Sequence, residues 1–351
     1  MVISTLLCLG LIRDPLFLRG GDVSEIPEVE ASGATYAYQG KRMDPFVIMK
    51  KAGWNFVRFR VWNDPKDGWC DKSHTLALAK RAKAQGLNIS LDFHYSDWWA
   101  DPGHQPKPKA WKDLPFEALT KAVHDYTQDV VGAMVKQGTP PIMVQVGNEI
   151  SGGLIWPDGK LESNAPEPWR RVAKLIQAGI DGVHDIKAKA EIATMIHLDR
   201  GADNAGARWW FDHLKAEGVD FDLIGLSYYP FWHGSLENLQ NNLNDLATRY
   251  GKDVYVVELG YPWKVDKTPG PRVYNGEKTE PDYPATPEGQ AALIRKVLTI
   301  LGEVPEGKGK GLLYWAPTWI APKGKHGDYS NLALFDEEGN ALPSVDAIGE
   351  P

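Results

Sequence analysis

The chain has 351 residues, 43% hydrophobic and 24% charged, enough for a large core and unlike a disordered, collagen-like or disulfide-scaffold sequence. Lys and Arg number 39 against 46 Asp and Glu, a net charge of −7, which argues against nucleic acid or an anionic membrane surface as a partner. Trp (14) outnumbers Phe (10), a hint of carbohydrate, because indoles stack on the apolar faces of sugar rings.

Residues 1–15 contain an apolar run, Val2 to Ile12, too short to span a bilayer. No basic residue precedes the run and no small-x-small pattern follows it, so it reads as a degenerate or truncated signal segment. Cys8 and Cys70 form no CxxC, and neither a metal knuckle nor a redox motif is expected. From residue 16 onward, strand-like and helix-like segments alternate. Phe17 to Val23 reads as a strand, Met43 to Ala52 as a helix ended by Gly53, and Asn55 to Trp62 (NFVRFRVW) as a strand with Arg58 and Arg60 on one face. His74 to Gln85 is an amphipathic helix closed by Gly86, Leu87 to His94 a strand, and Phe116 to Gln137 a helix closed by Gly138. Strands are expected at Ile142 to Glu149, Ile192 to His197, Leu223 to Tyr229, Val254 to Glu258 and Gly311 to Trp315. Helices at Pro168 to Lys187, Asn204 to Ala216, Leu236 to Tyr250 and Glu288 to Leu301 separate them.

Eight strands alternating with helices predict a parallel sheet, and this repeat number and length predict a closed (β/α)8 TIM barrel, an α/β fold in a single domain spanning residues 16–351. An open doubly wound sheet is the alternative, but no GxGxxG or Walker loop follows the first strand. A barrel gathers function at the C-terminal ends of its strands. Those ends read Asp22, Arg58 and Trp62, His94, Asn148 and Glu149, His197, Tyr229, Glu258 and Trp315. Glu149 and Glu258 belong to strands four and seven, which face each other across the mouth. Facing carboxyls suit glycoside hydrolysis, in which one protonates the leaving oxygen and the other attacks the anomeric carbon or activates water.

Plainer readings stand beside this one. The glutamates could instead be surface or salt-bridge carboxylates, and His94 a hydrogen-bonded core histidine, but the strand-end positions and flanking motifs favour function. Arg58 or Arg60 can pair with Asp22 or Asp92, and Trp62, Trp98 and Trp99 can be packing. Trp209 and Trp210 read as helix core, and His197 and Asp199 as structural rather than metal-binding.

The stretches GGDVSEIPEVE, VRFRVWNDPKDG, LDFHYSDWWADPGHQPKP, MVQVGNEISGGLIWP, IGLSYYPFW and LLYWAPTW resemble glycoside hydrolase family 53, endo-β-1,4-galactanases that cut arabinogalactan side chains of pectin. The resemblance runs from about Leu18 to Pro343. It implies a retaining double displacement with Glu149 as general acid/base and Glu258 as nucleophile. Asn148 would bond the sugar 2-hydroxyl, Arg58 and His94 would orient and polarise the nucleophile, and the Tyr229 hydroxyl would touch it. Trp315 would floor the cleaved sugar, with Trp62, Trp98 and Asp22 completing the substrate-binding set. A nearby cation is expected to hold Glu258 ionised while apolar walls raise the pKa of Glu149. The resemblance further implies no cofactor, a polysaccharide substrate, no nucleic acid or membrane partner, a monomer, and a secreted or periplasmic location.

The loop after strand seven, YPWKVDKTPGPRVYNGEKTEPDYP, lacks the Asp, His and Asn spacing of the calcium site of bacterial members and the cysteines of fungal ones. No metal is therefore expected. Ala316 stands where relatives often carry Glu. Rival readings are the same chemistry on mannan or xylan and a non-catalytic sugar-binding barrel, which would have lost a carboxylate. A metal-dependent barrel hydrolase would need a His-x-His at strand one, and a Schiff-base aldolase a strand-end lysine; neither is present.

Overall fold

Strands that are apolar on both faces must be covered on both, and here they are covered by curling into a ring with helices outside. The computed structural model describes residues 17–162, 165–187, 191–265, 280–321 and 329–350. The proposed signal segment lies outside these residues, as does most of the loop on which the calcium expectation was based. The barrel strands are β1 (Leu18–Asp22), β2 (Phe56–Val61), β3 (Asn88–Phe93), β4 (Met143–Val146), β5 (Ala193–Leu198), β6 (Leu223–Tyr228), β7 (Asp253–Leu259) and β8 (Gly309–Trp315). All neighbours pair in parallel, and β1 pairs with both β2 and β8, closing the eight-stranded barrel that the alternation predicts.

Helices α1 (Pro45–Lys51), α2 (Lys72–Ala84), α3 (Phe116–Lys136), α4 (Pro166–Lys187), α5 (Asn204–Ala216), α6 (Leu236–Tyr250), α7 (Pro287–Gly302) and α8 (Pro343–Gly349) surround it. Their starts follow capping chemistry. Asp44, Asp71, Asp203, Ser235 and Thr286 each accept a backbone N–H of the first turn. For this reason α2 begins at Lys72 and not at His74. Among the described residues, no helix is long and apolar enough to cross a membrane.

Side chains alternate between two cores. Residues such as Val57, Phe59, Leu91, Val144, Ile196 and Leu226 pack outward with the helices. Leu18, Phe56, Met143, Met195, Leu223, Tyr255, Val257 and Leu313 form a separate cluster inside the ring. Small residues keep the ring tight: a Cβ on Gly20 would stand 1.8 Å from the Phe56 carbonyl oxygen. Further along the strands the inward positions turn polar, with Arg58, Gln145, His197 and Ser227 all buried.

One irregularity aims a functional side chain. Leu226 of β6 pairs with Val256 of β7, but the next residue, Ser227, pairs with Glu258. Two β7 residues, Val257 and Glu258, thus oppose one neighbour, a β-bulge. Strict alternation would send Glu258 to the helix side once Val257 points inward. The bulge re-aims it into the mouth.

Phe56→Ala removes a fully buried ring from the bottom of the barrel. It is expected to lower unfolding free energy by about 3–5 kcal/mol in urea titrations while leaving kcat/KM near wild type well below the melting temperature.

Candidate active site

A cleft of about 900 Å³ opens at the C-terminal ends of the strands, lined among others by Asp22, Arg58, His94, Asn148, Glu149, Tyr229, Glu258 and Trp315. Its centre is Arg58, 1% exposed. Nε donates to Asp22 Oδ2 at 2.8 Å, Nη1 to Gln145 Oε1 at 3.1 Å, and Nη2 to Glu258 Oε1 at 2.8 Å. Asp92 Oδ2 lies 3.6 Å from Nη1. Burial alone would lower the guanidinium pKa, but the charges of Asp92, Asp22 and Glu258 outweigh it and raise it. The other Glu258 oxygen accepts the Tyr229 hydroxyl at 2.8 Å.

Glu149 is built differently. β4 ends at Val146, and Glu149 lies three residues further on in a left-handed conformation (φ 48°, ψ 50°), a backbone state costing about 1–3 kcal/mol outside glycine. Its amide N–H donates to His197 Nδ1 at 3.3 Å, and its Oε1 accepts the Ser227 hydroxyl at 2.6 Å. Burial and the charge of Glu258 push its carboxyl well above the ordinary range, with Ser227 opposing them. Glu258 also lies above its ordinary value, because burial, with Asp92 adding to it, outweighs the pull of Arg58 and Tyr229. The expected cation is in place as Arg58, but the expectation that it would hold Glu258 ionised needs correction, since burial exceeds its pull. The two carboxyls nevertheless separate in character: two hydrogen bonds and one guanidinium charge favour ionisation at Glu258, whereas at Glu149 the carboxylate of Glu258 opposes it.

The remaining predicted residues divide. Asn148 donates from Nδ2 to the Ala100 carbonyl at 2.8 Å. The ring nitrogens of His94 meet the Ala100 N–H at 2.9 Å and, at 3.6 Å, Asp92; they point to these groups and not to Glu258. Asp22 is 1% exposed and holds Arg58, Arg60 and Ser24, so it supports the site from beneath. Trp62 is 2% exposed and packs under Trp98 and Trp99 with centroids 4.7 and 5.2 Å away. It is a foundation and not a cleft wall. Trp98 itself is 47% exposed and lines the cleft with Trp315. Trp209 is partly buried and Trp210 fully buried against the helical core, as expected.

Several contributors escaped sequence reading because they lie beyond the strand ends, in loops or in the short helix Pro230–His233. Trp319 stacks between Trp99 and Trp315 at 5.9 and 6.0 Å, Trp232 is 60% exposed at the rim, and Tyr329 lines the same wall. Arg60 lies over the Trp99 ring, 4.3 Å from its centroid. Glu25, also unforeseen, is buried, accepts the Thr318 N–H and hydroxyl, and faces Arg60 at 3.9 Å. Asp92, His197 and Glu258 bring donor atoms within 4.8 Å of one another. Both Glu258 oxygens are already hydrogen-bonded and His197 faces Ser227 and Asn148, whereas among the described residues neither Asp92 oxygen has a hydrogen-bond partner and its charge is met by Arg58 at 3.6 Å.

A parallel barrel with two buried glutamates in an aromatic-walled cleft at its strand ends is the architecture of a barrel glycoside hydrolase. The chain belongs to glycosyl hydrolase family 53, whose family model matches residues 18–348. An uncharacterized protein in the bgaB 5′ region of Niallia circulans is 44% identical, covering 96% of this chain and 94% of its own. The arabinogalactan endo-beta-1,4-galactanase of Cellvibrio japonicus is 36% identical over 95% of this chain and 91% of its own. The solved GH53 catalytic domain of Ignisphaera aggregans superposes with a TM-score of 0.85 at 37% identity, covering 95% of each chain.

Tyr229→Phe removes a hydrogen bond that favours the Glu258 carboxylate. The Glu258 pKa should rise, moving the acidic limb of the kcat/KM profile to higher pH by about one unit. Burial pushes the Glu25 carboxyl up to about 7, against the pull of Arg60. Its native pKa exceeds the ordinary 4.5, so its contribution to stability is present below that value and is lost as pH rises through 7. Glu25→Gln should flatten this fall in urea titrations spanning the window.

Proposed function

We propose that this glycoside hydrolase cleaves internal β-1,4-galactosidic bonds of galactan and arabinogalactan by a retaining double displacement. Supporting the substrate are the galactanase names of family members aligned along nearly the whole chain. The observation that carries the mechanism is the unequal pair of glutamates. Glu258, with both oxygens held by Arg58 and Tyr229, is the nucleophile that attacks the anomeric carbon. Glu149, whose proton is retained by burial and by the charge of Glu258, gives that proton to the departing oxygen. It then takes one from the water that releases the glycosyl-enzyme. Asn148 has a second amide N–H for the sugar 2-hydroxyl. Trp315 and Trp98 carry sugar rings on either side of the reacting bond, and His94 buttresses the acidic floor through Asp92.

The reading extends to setting. A polymeric substrate suits an enzyme acting outside the cytoplasm, and we assign it a secreted or periplasmic location. A monomer fits the surface: among the described residues the large exposed apolar side chains are Trp98, Trp232 and Val265, and both tryptophans border the cleft, leaving little apolar area for a subunit interface.

Reducing-end release from linear β-1,4-galactan, run beside mannan, xylan and cellulose, tests the substrate, and activity on galactan alone is the expected result. Glu258→Ala should abolish hydrolysis. Glu149→Ala should lose about 10²–10⁴-fold on galactan yet keep glycosylation by activated aryl glycosides. Near wild-type galactan hydrolysis by either variant would overturn the assignment.

A further inference from the structure

The assignment of Glu149 as acid/base leaves two neighbours unexplained. His197 on β5 and Ser227 on β6 are both fully buried, and they join the main chain of Glu149 to its own carboxyl. The Glu149 N–H reaches His197 Nδ1 at 3.3 Å, His197 Nε2 lies 2.9 Å from Ser227 Oγ, and Ser227 Oγ lies 2.6 Å from Glu149 Oε1. A backbone amide can only donate, and a neutral imidazole has one donor and one acceptor. With Nδ1 accepting the amide, Nε2 carries the hydrogen and gives it to Ser227, whose own hydrogen goes to Oε1. Burial, with Arg58 and His94 adding to it, keeps His197 neutral. Among the described residues no hydrogen bond holds Oε2.

Resting on the reading of Glu149 as acid/base, we infer that Ser227 and His197 are positioning residues that occupy Oε1 and leave Oε2 to carry the transferred proton. The same Ser227 bond stabilises the carboxylate after the proton has passed to the departing oxygen. It also anchors a residue whose left-handed backbone needs outside support. Other charges facing Glu149 are Glu258 on β7, Asp199 after β5 and Asp101 after β3, all of which favour its neutral form; Ser227 opposes them. Asn148 Oδ1 lies 3.0 Å from the same Nδ1 and defines the opposite polarity. There Nδ1 donates to Asn148, Ser227 donates to Nε2, and Oε1 receives no hydrogen.

Ser227→Ala separates the two arrangements. Under the inferred polarity the Glu149 carboxylate loses a donor, so the alkaline limb of kcat/KM on galactan moves up by about one pH unit. The plateau on galactan falls about 10²-fold through misalignment. kcat/KM for a 2,4-dinitrophenyl glycoside of a β-1,4-galacto-oligosaccharide, which needs no proton on its leaving group, should stay within about threefold. His197→Gln, which keeps a donor toward Ser227, should shift the limb in the same direction by less. Thermal melting of each variant identifies any that fail to fold. An alkaline limb that stays or moves down in folded Ser227→Ala, or equal losses on both substrates, would overturn the inference. If Glu149→Gln leaves the alkaline limb in place, the acid/base reading of Glu149 itself fails, a result distinct from failure of the Ser227 and His197 roles.

Discussion

A single buried guanidinium organises this active site. Arg58 has no solvent to neutralise it, and a charge in that position is tolerable only if paired and hydrogen-bonded. Its partners come from β1, β3, β4 and β7: Asp22, Asp92, Gln145 and Glu258. Half the barrel is thereby tied to one side chain, and removing a member of such a cluster costs about 3–5 kcal/mol by stranding the others. The arrangement also makes chemistry possible. A carboxylate buried as Glu258 is would tend to take up a proton, and the guanidinium opposes that tendency without itself being able to give one.

The aromatic wall rests on the same foundation. Asp22 binds Arg58 on one side and Arg60 on the other, and Arg60 lies against the face of the Trp99 ring. Trp99 stacks on Trp319, which stacks on Trp315. Surfaces able to receive sugar rings are therefore linked through the barrel mouth to the charges that act on the reacting carbon. Trp62, buried beneath Trp98 and Trp99, fixes their height without lining the cleft.

The two glutamates illustrate how one barrel gives identical side chains different environments. Glu258 lies within a strand and is turned inward by a bulge, where it meets a cation. Glu149 lies beyond a strand in a strained conformation, where its carboxyl meets one neutral donor, Ser227, and the other carboxylate. Their difference comes from neighbours and not from residue type.

The sequence by itself determined the repeat. Period-two strands, amphipathic helices and the glycines that end them are local features, and they sufficed for eight parallel strands, a closed barrel and polar residues at the strand ends. Motifs such as GNE and YWAPTW were legible for the same reason, since their residues are neighbours in the chain. Only the tertiary structure decided which way each side chain points and what it meets. Alternation from Tyr255 and Val257 would have turned Glu258 toward the helices, and the bulge that reverses it appears only when β7 is registered against β6 and β8. Trp62 and Trp98 look alike in sequence, yet one is buried and the other exposed, because loop packing ranks them. Ser227 lies beside Glu149 in space but 78 residues away in sequence. No local pattern encodes that contact, since it exists only once the strands have closed into a ring.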